Sequence, residues 1–85
     1  MTTELVLPSG RFASFRPLEW GDVVICWNDN NLLMLTALAA RTMRIDGKEV
    51  PLDQIMKLPP DEMSPVIMHV SKSLGEMLKH TKGIA

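Results

Sequence analysis

Three side chains in this sequence are of the kinds that attack carbonyls, move protons or bind transition metals: Cys26, His69 and His80. A thiolate activated by an imidazole is a recurrent nucleophile. Cys26, however, lies between Ile25 and Trp27, with no glycine-rich turn beside it to present the amide donors that acyl transfer requires. One cysteine and two histidines eleven positions apart also lack the ligand spacing of a structural zinc site. The carboxylates Asp53, Asp61 and Glu62 form neither a paired-carboxylate nor a phosphate-cradling motif and are expected to be solvated or to cap helices. The expectation is a protein that is not an enzyme, with no catalytic residue, no cofactor and no metal.

Nucleic acid and membrane are poor partners for this chain. Nine basic and ten acidic residues give a net charge of −1, and neither sign is gathered into a run. Two helices across Pro59-Pro60 suggest a helix-turn-helix, but a recognition helix at Ser64–Lys79 has only Lys72 and Lys79 for the phosphates. The longest apolar run, Leu32–Leu35, is far shorter than the roughly 20 residues of a membrane span. Cys26 has no internal partner for a disulfide, and MTTELVLPSG lacks the basic-then-apolar plan of a signal peptide, so a reducing cytoplasm is expected. Protein partners remain.

The elements that must position any binding residue follow from pattern. The 85 residues read as one small domain of α+β class, mostly helical: a β-hairpin at about 4–16, three or four short helices at about 17–79, and a frayed tail at 80–85. Glu4–Leu7 and Arg11–Arg16 flank the turn cluster Pro8-Ser9-Gly10 and read as antiparallel strands. Phe12 and Phe15 have opposite parity, which calls for a bulge or for cover on both faces. Pro17 suits a first helical turn, and 18–27 is expected to be a helix, although Val23, Val24 and Ile25 keep a strand in competition. Asn28–Asn31 is a run of turn and N-cap formers, so a second helix should start near Asn31 and run to about Arg44. Asp46-Gly47 then turns the chain; Thr42–Asp46 and Lys48–Val50 can make a second, very short hairpin, but a turn with little strand pairing is the favoured reading. Leu52–Lys57 is a short helix with Leu52, Ile55 and Met56 on one face, ended by Pro59-Pro60. The clearest helix spans Met63–Leu78, with Ser64 as N-cap and Pro65 in its first turn. Its Met63, Val66, Ile67, Val70, Leu74, Met77 and Leu78 recur at i, i+3, i+4, i+7, and His69, Lys72, Ser73, Glu76 and Lys79 lie on a solvent-facing side.

Asn31–Arg44, apolar on nearly every side, is the element around which the rest is organised. A helix of that kind must be covered by its own core or by a partner, and a domain of this size buries only about 60–65% of its unfolded surface. The C-terminal helix is expected to cover one side and the hairpin with Trp20 another. The flank bearing Leu33, Met34 and Ala37 is left for a partner. Trp20 reads as a core plug, and Trp27, beside the polar turn, as the better interface anchor. The seven methionines suit gap filling in a core and adaptable apolar surfaces alike.

The order of these features resembles that of the tail assembly chaperones of tailed bacteriophages. The resemblance runs from about Leu5 to Leu78: Leu7-Pro8-Ser9-Gly10, Phe15-Arg16-Pro17-Leu18 leading to Asp22, the Leu/Ala-rich helix, Ile45-Asp46-Gly47-Lys48, the Leu52–Leu58 segment and the final amphipathic helix. It implies a non-structural protein of the host cell cytoplasm, phage or prophage encoded, that keeps apolar helical segments of the tape measure protein soluble during virion assembly. Self-association is compatible with it. The alternative is a structural or adaptor subunit of a tail or baseplate that buries the same helix in a fixed oligomer.

Overall fold

The computed structural model of the chain describes residues 3–80. Of the frayed tail expected at 80–85, His80 instead closes the last helix, and 81–85 lie outside the described residues. Strands β1 (Thr3–Val6) and β2 (Phe12–Phe15) lead to helices α1 (Trp20–Cys26) and α2 (Asn31–Thr42), then strands β3 (Met43–Ile45) and β4 (Lys48–Glu49), and helices α3 (Leu52–Ile55) and α4 (Pro60–His80). The α+β class, the opening hairpin and the succession of helices are as the sequence predicts.

The first hairpin closes where Leu7 N donates to Arg11 O and Gly10 N to Leu7 O, both at 2.8 Å, with Gly10 at φ +92°, a conformation that favours glycine. Its register is regular, with Val6 opposite Phe12 and Thr3 opposite Phe15. The parity of the two phenylalanines needs no bulge: Phe15 is buried and Phe12 is simply exposed on the outer face.

The sheet is larger than expected. α2 ends at Thr42, not at Arg44, and the chain passes without a linker into β3, which pairs with β2 through Phe15–Met43 and Ala13–Ile45. Met43-Arg44-Ile45 alternates buried, exposed, buried, the period of a strand with one covered face. Asp46 and Gly47, at φ +51° and +80°, then make a two-residue turn of the kind that matches strand twist, so Lys48-Glu49 pairs back as β4. The turn therefore closes a second hairpin, and the strands lie in the order β1-β2-β3-β4, all antiparallel.

Two other expectations are corrected. α4 starts at Pro60, so Pro59-Pro60 opens the long helix as well as ending the short one, and Pro65 lies inside it rather than in its first turn. Pro60 at the first helical position is pre-set in φ, while the amides of Glu62 and Met63 donate to Pro59 O. His69 is not a solvent-facing residue: its ring lies 4.3 Å from that of Phe15, and burial holds its pKa below the ordinary histidine value. Glu62, expected to be solvated or capping, is buried and accepts from the Ser9 amide (2.7 Å) and hydroxyl (3.2 Å), with Arg11 at 3.8 Å, which ties the hairpin turn to α4.

The core lies between the inner face of the sheet and the helices: Ala13, Phe15, Met43 and Ile45 below, Met34, Leu38 and Ala39 of α2 in the middle, Val66, Val70 and Leu74 of α4 alongside. Val70 is 2% exposed and has no route to water. Val70→Asp should abolish the cooperative thermal transition, because an uncompensated charge in that place costs several kcal/mol. Met68→Asp, on the exposed side of the same helix, should leave stability within about 0.5 kcal/mol; circular dichroism melts of the pair check both.

Candidate functional site: an apolar furrow over α1, α2 and α3

The short helix α1 turns its apolar residues both ways. Val23 and the carboxylate of Asp22 face inward, whereas Trp20, Val24 and Trp27, spaced i, i+4, i+7, form an outward stripe. Trp20 is 56% exposed, so it does not plug the core or cover α2; the inward positions belong to its neighbours two and three residues on. Trp27, 59% exposed, follows the last turn as C-cap.

α2 is fixed from its first residue. Asn28 Oδ1 accepts from Asn30 N (2.8 Å), and Asn30 Oδ1 accepts from Leu33 N (3.1 Å), so the polar run before Asn31 caps the helix as predicted. The helix then buries Met34, Leu38 and Ala39 and leaves the flank of Leu32, Leu33 and Ala37 more open. Met34, expected on the partner-facing flank, is 5% exposed and belongs to the core, since it shares a face with Leu38 one turn on. Leu33 is 36% exposed and Ala37 half-buried.

These side chains border three adjoining depressions. Trp20, Val23, Val24 and Trp27 line the first, of about 380 Å³. Trp27 is shared with the second, of about 420 Å³, where it meets Ile25, Leu33, Ala37 and Leu52. Leu33 is shared in turn with the third, of about 490 Å³, lined also by Leu32, Met56, Met63 and Ile67. Trp27 and Leu33 are thus the joints of one furrow. Three of the four residues that sequence reasoning picked out, Trp27, Leu33 and Ala37, lie together in its middle part, and Met34 lies beneath it. Trp20, Val24, Ile25, Leu32, Leu52 and Met56 were missed as a surface. The i, i+4, i+7 spacing in α1 was the signal available for the first two.

One buried carboxylate holds the walls in place. Asp22, 2% exposed, accepts from Arg16 Nη1 and Nη2 at 2.8 Å each, from Arg41 Nε at 3.0 Å and from the Glu19 amide at 2.9 Å. It joins the end of β2, the start of α1 and the last turn of α2. The Arg16 fork holds the Asp22 carboxyl far below the usual carboxylate range against the opposing effect of burial, with the Glu19 amide and Arg41 adding to the stabilisation of the charge.

Burial pushes the Cys26 thiol up, away from the reactive thiolate, and His69 is packed against Phe15. Among the described residues, no three His, Cys, Asp or Glu side chains gather as a metal ion would need, and no helix is long and apolar enough to cross a membrane. Comparison with protein families, curated proteins and solved structures found no match to this chain. The fold and the furrow define a small α+β domain with an open apolar surface.

The Asp22 clamp has a pH signature. Its folded-state pKa lies below the unfolded value of about 4. The stabilisation is therefore complete above that unfolded value and drains away as the pH falls towards the folded one. Asp22→Asn should cost about 2–3 kcal/mol at pH 7 by unpairing the two guanidiniums. It should also flatten the fall in melting temperature between about pH 5 and pH 2. If the variant keeps the parental acid slope, the acid sensitivity arises elsewhere.

Proposed function

We propose that this chain is a non-enzymatic protein-binding domain that shelters an apolar helical segment of a partner in the furrow. With the resemblance described above, the specific form of the proposal is a tail assembly chaperone acting on the tape measure protein in the host cell cytoplasm. The observation that carries it is the row of exposed apolar side chains, Trp20, Trp27, Leu33 and Met56, that border three depressions linked through Trp27 and Leu33. Contiguous apolar surface of this sort marks interaction sites in small proteins.

Magnitudes favour an occupant that spans the whole furrow. Burying one large apolar side chain contributes about 2 kcal/mol, whereas association costs at least about 4 kcal/mol in lost freedom. One anchor is too few, and three or more along a helix suffice for weak, reversible capture. The methionines at the third depression, Met56 and Met63, are unbranched and adapt to varied shapes, which suits a carrier that tolerates many sequences.

A structural or adaptor subunit in a fixed oligomer is the competing reading. What favours it is apolar exposure away from the furrow: Val6 and Phe12, opposite each other in the register, are both exposed. A chaperone is absent from finished particles and a subunit persists in them, so mass spectrometry of purified particles separates the two.

Co-expression with a tape-measure-like protein should give a soluble complex, and a tape measure equally insoluble with and without this chain would sink the proposal. Leu33→Asp should abolish co-purification while keeping a cooperative melt, at a cost of about 1–2 kcal/mol, because the position is 36% exposed and an acidic residue suits the first turn of a helix. Met34→Asp should instead unfold the domain, seen as loss of the cooperative melt.

A further inference from the structure

The furrow has one charged wall. Among the described residues lining its three depressions, Arg41 alone carries a charge at neutral pH. Its Nε is committed to Asp22, but among the described residues its Nη1 and Nη2 have no partner, so four of its five N–H donors are open. The neighbouring charges are already matched. Arg16 meets Asp22 and Glu19, and Arg44 lies 3.7 Å from Glu49. The Arg41 side chain is 42% exposed, so these donors are open to solvent; it also borders a further cavity, of about 280 Å³, with Ser14, Arg16, Arg44 and Glu49.

We propose that the segment taken by the furrow is an amphipathic helix with an Asp or Glu beside its apolar anchors, and that the Nη edge of Arg41 receives this carboxylate. The inference rests on the furrow being the partner site. A helix fits best because most of the lining side chains come from helices and no free strand edge is among them, and a helical occupant satisfies its own amides and carbonyls. The position of the acid follows from α2. Leu33, Ala37 and Arg41 recur at i, i+4, i+8 on one flank, which places Arg41 about 12 Å along the axis from Leu33. On an occupant lying along α2, the carboxylate therefore stands about two turns from the residue seated on Leu33.

The test uses three synthetic 18-residue amphipathic helices without tryptophan, identical except for Glu, Gln or Lys two turns from the central leucine. Binding to the intact protein is read from the fluorescence of Trp20 and Trp27, both in the furrow. At low salt the Glu peptide should bind about fivefold more tightly than the Gln peptide. The Lys peptide should bind least well, and the differences should shrink as salt rises. Arg41→Gln should equalise the Glu and Gln peptides. The three peptides on the unaltered protein decide the matter even if that variant fails to fold. Equal affinity for all three would overturn recognition of the acid and leave the furrow standing as an apolar site. If none of the peptides binds, the furrow itself falls, and this inference with it.

Discussion

The Asp22 carboxylate, nearly sealed from water, is the interaction on which the arrangement of the furrow depends. A buried charge is stable only where donors surround it, and here four hydrogen bonds from three segments converge on two oxygens. Without it, α1 would have only Val23 and the flank of Cys26 to hold seven residues of helix against the core. A helix so short has little stability of its own, since nucleation is unfavourable and few bonds follow. The clamp therefore does what apolar packing does elsewhere in the fold, and leaves the rest of the apolar side chains of α1 free to face outward.

Glu62 plays the corresponding part at the other end of the molecule, joining the first hairpin turn to α4. Together the two carboxylates tie the two ends of the first hairpin to the helices. A small domain that spent Trp20, Val24 and Trp27 on its own core would have gained stability; keeping them at the surface makes sense when something else covers them.

The sequence was legible where a single period dominated. Pro60–His80 announces its buried side through Val66, Val70 and Leu74, and the asparagines at 28–31 mark a helix start with a mechanism attached. It was least legible where two readings share residues. Arg41 and Arg44 fit the cationic last turn of a helix, which outweighed the alternation of Met43-Arg44-Ile45 and left the second hairpin as the lesser reading. Met34 and Leu33 are neighbours of the same chemical kind, and only the exact phase of α2 against α4 decides which is covered. Glu62 could not be told from a solvated acid, because its donor Ser9 lies far away in the chain, and although Arg16 and Glu19 stand close to Asp22 in sequence, the Arg41 that ties it to α2 does not.

The direct passage from α2 into β3 has a consequence for chain length. One residue inserted within α2 would turn every later side chain by about 100° around the helix axis. Inserted after Thr42 instead, it would exchange the two faces of β3, sending Arg44 inward and Met43 out. No loop stands between the two elements to absorb the change, so the stretch from Asn31 to Ile45 behaves as a ruler of fixed length. Additions and losses of residues in relatives of this chain should therefore collect at the turns around Asp29 and Lys57, and avoid that stretch.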